Sequence, residues 1–373
     1  MAMKLRTRIA ALGTAAALLL SPVVVDRATA QVPERQVPAA GPLLPAVAPS
    51  SQATAAADWL AQQWQSDPSA LSKGALADAI ISLSATGLHT DVLAEMDTAL
   101  QTQAAGYATS PGSAGKVAIA AQAIGQDPTN YGGVDLVRVI LDGLAASPDA
   151  GGIYSLPYAL IALVRSDVAV PQASIQALLD AQDDAGAFGY WETWNTPATW
   201  AVDIDSTGLA ITALVGLEAT GQGGQSVTDA LDAVLGWALD NQSADGSWPG
   251  YSPSNATALV GQGLLAAGED VTAAVAYLHD QQAAAGGAGL PSTHDGATPD
   301  LVATVQALLL LAGDDLLNVP STPATSTPPV TTTAPTTAAP TTAAPTSSAT
   351  TPAAPGSTAS APTAPRPLPN TGA

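Results

Sequence analysis

Asp203 and Asp205 stand two residues apart, followed by Ser206 and Thr207, where a polar connector enters a long apolar stretch. Carboxylates this close compete for ionisation, and the one pushed toward the protonated form can serve as a general acid near neutral pH. Asp184 and Glu192 lie just upstream, beside Trp191 and Trp194. Paired acids next to indole rings suit a glycan, since sugars stack on aromatic faces while two carboxyl groups cleave the glycosidic bond. A structural reading of the same residues is open too. Asp205, Ser206 or Thr207 can cap the helix that follows, with Asp203 favouring the positive end of its dipole.

The segment from Gly186 to Leu209 holds Phe188, Tyr190, Trp191, Trp194 and Trp200, in a connector longer than its counterparts. Aromatics gathered in one long loop suggest a binding platform. With Trp248 and Tyr251 from a later connector, the expected ligand-binding set is Tyr190, Trp191, Trp194, Trp200, Trp248 and Tyr251. Other chemistries are excluded or disfavoured. The chain has no cysteine, so it has no disulfide, thiolate metal site or cysteine nucleophile, and His89, His279 and His294 are too scattered to read as ligands. No metal and no cofactor are expected. Between Ala53 and Asn318 only Lys73, Lys116, Arg138 and Arg165 face 29 acids, a balance of −25, so nucleic acid is not an expected partner.

The elements that must hold these residues are helices. Ala-rich apolar stretches begin near Gly74, Gly115, Ser155, Asp205, Asn255 and Asp300. Each follows a stretch with one polar face: 53–65, 92–105, 133–146, 172–183, 228–241 and 271–284. A helix apolar all round is a buried helix, as in the run from Leu301 to Leu311, so six inner helices ringed by six outer ones are expected over 53–318. Period-two strand signals do not recur.

The turns carry a resemblance. Trp237-Ala238-Leu239, Gln242 and Asp245-Gly246-Ser247-Trp248 resemble the QW motif of the squalene-cyclase and prenyltransferase repeat family. Degenerate copies run through Leu178, Gln182, Gly186 and Phe188, through Tyr277, Leu278, Gln281 and Gly287, and through Trp59, Leu60 and Gln62. The stretch from Lys116 to Val137 is similar to secreted bacterial proteins of that superfamily. The resemblance implies an all-α (α/α)6 toroid, with the Gln bonding a helix end and the aromatic stacked beneath it. Asp203 and Asp205 also resemble the first two acids of the cyclase DxDD motif, which implies Asp205 as proton donor; Ser206 replaces the last Asp. Zinc-dependent prenyl transfer does not fit a chain without cysteine, and cobalamin carriage lacks its β domain.

The ends read as an address. Residues 1–30 have the charged, apolar and small-residue order of a signal peptide, and 31–52 form a linker. Residues 319–367 are almost entirely Pro, Thr, Ala, Ser and Val, a composition expected to stay disordered as a wall-spanning stalk. Leu368, Pro369, Asn370, Thr371, Gly372 and Ala373 resemble an LPxTG sorting signal, implying sortase and peptidoglycan as partners and a Gram-positive cell-wall location. Such signals continue into an apolar tail, so the expectation is either a truncated sequence or a released protein. The function expected from all this is a non-catalytic extracellular binding domain, taking a small hydrophobic ligand or a glycan in an aromatic mouth. A cyclase-like enzyme with Asp205 as acid is the first alternative, and a glycan-active toroid enzyme the second.

Overall fold

The computed structural model describes residues 49–193, 195–292 and 298–319. The signal peptide, most of the linker, Trp194, His294, the stalk beyond Val319 and the sorting-like motif lie outside the described residues.

Six helical pairs follow one another. The outer helices are α1 (Ser51–Ser66), α3 (Thr90–Tyr107), α5 (Leu136–Ala146), α7 (Gln172–Leu179), α9 (Gln225–Asp240) and α11 (Thr272–Ala284). The inner helices are α2 (Lys73–Thr86), α4 (Pro111–Ala123), α6 (Leu156–Arg165), α8 (Ile204–Ala219), α10 (Pro253–Ala266) and α12 (Leu301–Leu311). Each inner helix packs on the next, and α12 returns to α2, so the ring closes. That closure makes the domain an (α/α)6 toroid.

Burial explains the two layers. In α10 every residue from Pro253 to Leu264 is buried, whereas α9 buries Val227, Ala230, Leu231, Val234, Leu235 and Ala238 at the three-and-four spacing of a single face. Small residues let inner helices touch at the backbone. A Cβ on Gly208 of α8 would lie 2.4 Å from the Leu259 carbonyl carbon in α10, and one on Gly115 of α4 would lie 2.5 Å from the Tyr158 oxygen in α6. Only glycine permits these approaches.

A repeated device ties each of three connectors to its inner helix. The side chains of Gln182, Gln242 and Gln282 donate to turn carbonyls at Gly186, Gly246 and Ala288, at 3.0, 2.9 and 2.6 Å. Gln182 also reaches Ala230 O in the next outer helix, and Gln282 reaches Gln52 O in the first. The backbone N–H groups of Phe188, Trp248 and Leu290 then donate to Thr207, Thr257 and Thr304 in the first turns of α8, α10 and α12. The third glutamine is therefore Gln282, one residue beyond the Gln281 that the sequence pattern suggested.

The long connector is not all coil. β1 (Gly189–Glu192) pairs antiparallel with β2 (Thr199–Val202), opposing Trp191 to Trp200. Strand alternation was missed because each strand has only four residues; the two indoles, 5.5 Å apart edge to face, supply the cross-strand contact that holds the hairpin.

One end of the ring is plugged. After α12 the chain folds back under the inner helices, and Leu316 lines the lower wall of a small axial cavity. Arg165, the last residue of α6, holds this segment by donating to the carbonyls of Leu316, Leu317 and Val319 at 2.9, 2.6 and 3.2 Å.

Candidate functional site

Around the axis the otherwise apolar inner helices each turn polar. Asp78 comes from α2, Lys116 from α4, Tyr158 from α6, Asp205 from α8, Asn255 and Gln262 from α10 and Gln306 from α12. Asn255 donates to Gln306 at 2.6 Å, and Gln262 donates to the Gln306 carbonyl at 2.8 Å. Lys116 Nζ lies 3.0 Å from Asp78 Oδ2, both side chains being more than nine-tenths buried, and 4.5 Å from the centre of the Tyr158 ring. Burial pulls the Lys116 pKa down, but the charges of Asp78, Tyr154 and Tyr107 and the Asp78 hydrogen bond outweigh it, so the amine stays protonated.

Asp203 and Asp205 divide the two roles that the sequence left open. Asp203 is the N-cap of α8: its Oδ1 accepts the Ser206 N–H at 2.7 Å, and its carbonyl accepts from the Thr207 hydroxyl. Asp300 makes the same pair of contacts with Ala303 and Thr304 at the start of α12. Its recurrence marks Asp203 as a cap rather than a catalytic acid. Counting back from the three connector threonines, Asp205 is equivalent to Asn255 in α10 and Val302 in α12. It is the ionisable member of that set. Burial first, and the charge of Asp203 second, push its carboxyl up to about 7. The charge of Asp205 is also felt at Tyr154 and Tyr158, which places the three groups in one neighbourhood.

Of the six expected ligand-binding aromatics, the five that are described do not assemble into one mouth. Tyr190, Trp191 and Trp200 line a single cleft of about 340 Å³, together with Asp149, Asp180 and Leu156. Trp191 is 59% exposed there, and the Trp200 indole nitrogen is buried without a hydrogen-bond partner. Trp248 is fully buried and donates its indole N–H to Ala238 O at 2.8 Å, so it belongs to the core. Tyr251 stands 98% exposed on the connector before α10, outside that cleft. Trp194 lies outside the described residues.

No protein-family model matches the chain, and no curated protein does. Among the solved structures similar in fold is a bacterial one.

It is the unsaturated glucuronyl hydrolase of Bacillus sp. GL1, an enzyme responsible for the degradation of glycosaminoglycan, at 15% identity and a TM-score of 0.48, covering 70% of this chain and 95% of that one. The expectation of a non-catalytic binding domain with an aromatic mouth is corrected here: among the described residues Tyr190, Trp191 and Trp200 share a cleft, while Trp248 is in the core and Tyr251 stands outside that cleft. The described residues hold instead a half-buried acid, Asp205, at the start of α8. The cyclase-like alternative loses its acid triad as well, since Asp203 is engaged as a cap and Ser206 holds the third position with a buried hydroxyl.

Sequence reasoning missed Asp78, Lys116, Tyr154 and Tyr158. A usable signal was there: Asp78 and Lys116 are lone charges inside helices otherwise buried all round. Nothing in the sequence pairs two residues that lie 38 positions apart.

Proposed function

We propose that this domain is a glycan-active hydrolase in which Asp205 is the general acid. The observation that carries the reading is Asp205 itself, a half-buried carboxyl at the start of α8 within the electrostatic reach of Tyr154 and Tyr158 and raised to about 7, hence protonated in a large share of molecules at neutral pH. Such an acid can donate its proton to a leaving glycosidic oxygen as the bond to the anomeric carbon breaks, and a water molecule then supplies the hydroxyl that completes hydrolysis. A carboxyl whose pKa is raised by its surroundings is how glycosidases keep a general acid protonated near neutral pH.

The aromatic cleft supports a sugar as the group recognised. Trp191 and Trp200 offer ring faces and edges, Asp149 and Asp180 offer acceptors for hydroxyls, and the indole N–H of Trp200 is a donor without a protein partner. The relationship to QW-repeat proteins, secretion after residue 30 and attachment through Thr371 belong to the same proposal: an extracellular domain meets wall or environmental polysaccharide directly. The test is release of reducing ends from a panel of neutral and acidic polysaccharides by the wild-type domain and by Asp205→Asn. Turnover by the wild type and its loss in Asp205→Asn support the reading; turnover that survives the substitution removes Asp205 from the role.

A further inference from the structure

We propose that the cleft over Lys116 is a subsite for an oxyanion carried by the substrate, a carboxylate or sulfate group on one sugar of the glycan; this deepens the hydrolase reading and rests on it. The cleft has a volume of about 360 Å³ and lies beside the aromatic one, across the segment from Asp149 to Leu156. Its walls include Tyr107, Ser110, Ser113, Lys116, Tyr154 and Tyr158, and no acidic residue is among those that line it. The aromatic cleft, by contrast, has Asp149 and Asp180 on its wall. In a region carrying 29 acids against four bases, a cleft free of carboxylates with a buried ammonium at its base stands apart.

The chemistry of the walls is that of donors. Lys116 keeps its proton, and Asp78, which takes one of its N–H bonds, lies on the wall of the axial cavity rather than on the cleft. Burial raises the pKa of Tyr107, Tyr154 and Tyr158, so their hydroxyls stay protonated at neutral pH. Ser110 caps α4, accepting the Ser113 N–H, and both serine hydroxyls face one another on the same wall, at the positive end of the helix. An oxyanion is acceptor-only and strongly hydrated. It exchanges water for these donors and for a positive charge, whereas a neutral hydroxymethyl group in its place forfeits the charge-assisted bond.

The experiment compares three probes by calorimetry: a uronic-acid oligosaccharide, its carboxyl-reduced counterpart and a sulfated oligosaccharide of the same length. The inference expects either anionic form to bind at least about tenfold more tightly than the reduced form, as one charge-assisted hydrogen bond implies. The anionic probe that shows the preference identifies the oxyanion. Tyr107→Phe reduces that preference, and the double variant Asp78→Asn with Lys116→Met, which leaves no unpaired buried charge, abolishes it; circular dichroism reports whether each variant is folded. Trp191→Ala weakens the anionic and reduced forms alike. Equal binding of all three probes overturns the oxyanion subsite and leaves the glycan reading standing. Binding of none overturns both.

Discussion

Asp203 and Asp205 lie two residues apart on the same helix start, and the fold gives them opposite tasks. Asp203 accepts the Ser206 N–H at 2.7 Å as the helix cap, while Asp205 is half-buried with its carboxyl raised to about 7. A substitution at each separates the tasks. Asp203→Ala costs about 1 kcal/mol of stability through the lost cap, read as a lower melting temperature. Asp205→Asn leaves the fold intact and removes turnover.

The pH dependence of Asp205 has a definite sign. Its folded pKa lies above the ordinary 3.8, so burial favours the protonated form, and the contribution present at low pH is lost as pH rises toward about 7. Asp205→Asn, which cannot ionise, therefore gains stability over the wild type as pH increases from about 4 to about 7. Melting curves of both proteins at pH 5 and pH 8 measure it: the difference in favour of Asn is larger at pH 8. Turnover that uses the protonated acid falls over the same upper limb.

Lys116 and Asp78 form a buried ion pair at 3.0 Å. Removing one partner strands the other, so Lys116→Met or Asp78→Asn alone costs about 3–5 kcal/mol in a denaturant titration. The double variant recovers most of that loss, because the desolvation penalty disappears with the pair.

The plug under the toroid depends on Arg165. Arg165→Met breaks three bonds to the carbonyls of Leu316, Leu317 and Val319 and a fourth, at 3.1 Å, to the Gln122 side chain. Hydrogen exchange across 313–319 should speed up by an order of magnitude or more, with the loss of several bonds at about 1 kcal/mol each.

Gly208 tests the close packing of inner helices. A Cβ there meets the Leu259 backbone at 2.4 Å, so Gly208→Ala forces α8 and α10 apart and destabilises by about 1–3 kcal/mol, despite the better helix propensity of alanine. An unchanged melting temperature would contradict the packing described.

The paired helices were legible because burial writes itself into composition: α10 and α12 have no polar face, and α9 has one. The glutamine turns were legible through their resemblance to QW motifs, with an error of one residue at Gln282, where two glutamines are adjacent and only geometry chooses between them. Trp248 was misread as part of a mouth, since a turn aromatic that stacks into the core and one that faces solvent look alike in sequence. The cap of α8 was expected at Asp205, Ser206 or Thr207, with Asp203 only favouring the dipole; the structure puts it at Asp203, and Asp300 repeats it at the start of α12. The axial cluster was not legible, because it is made by ring closure, which brings together single residues from six separate helices.

The proposed hydrolase needs Asp205 to hold a proton near neutral pH. Carbon-13 NMR of the side-chain carboxyls, with Asp205→Asn used to assign the resonance, measures it without any substrate. The account predicts a midpoint near 7 for Asp205; a midpoint at the ordinary 3.8 or below would contradict it.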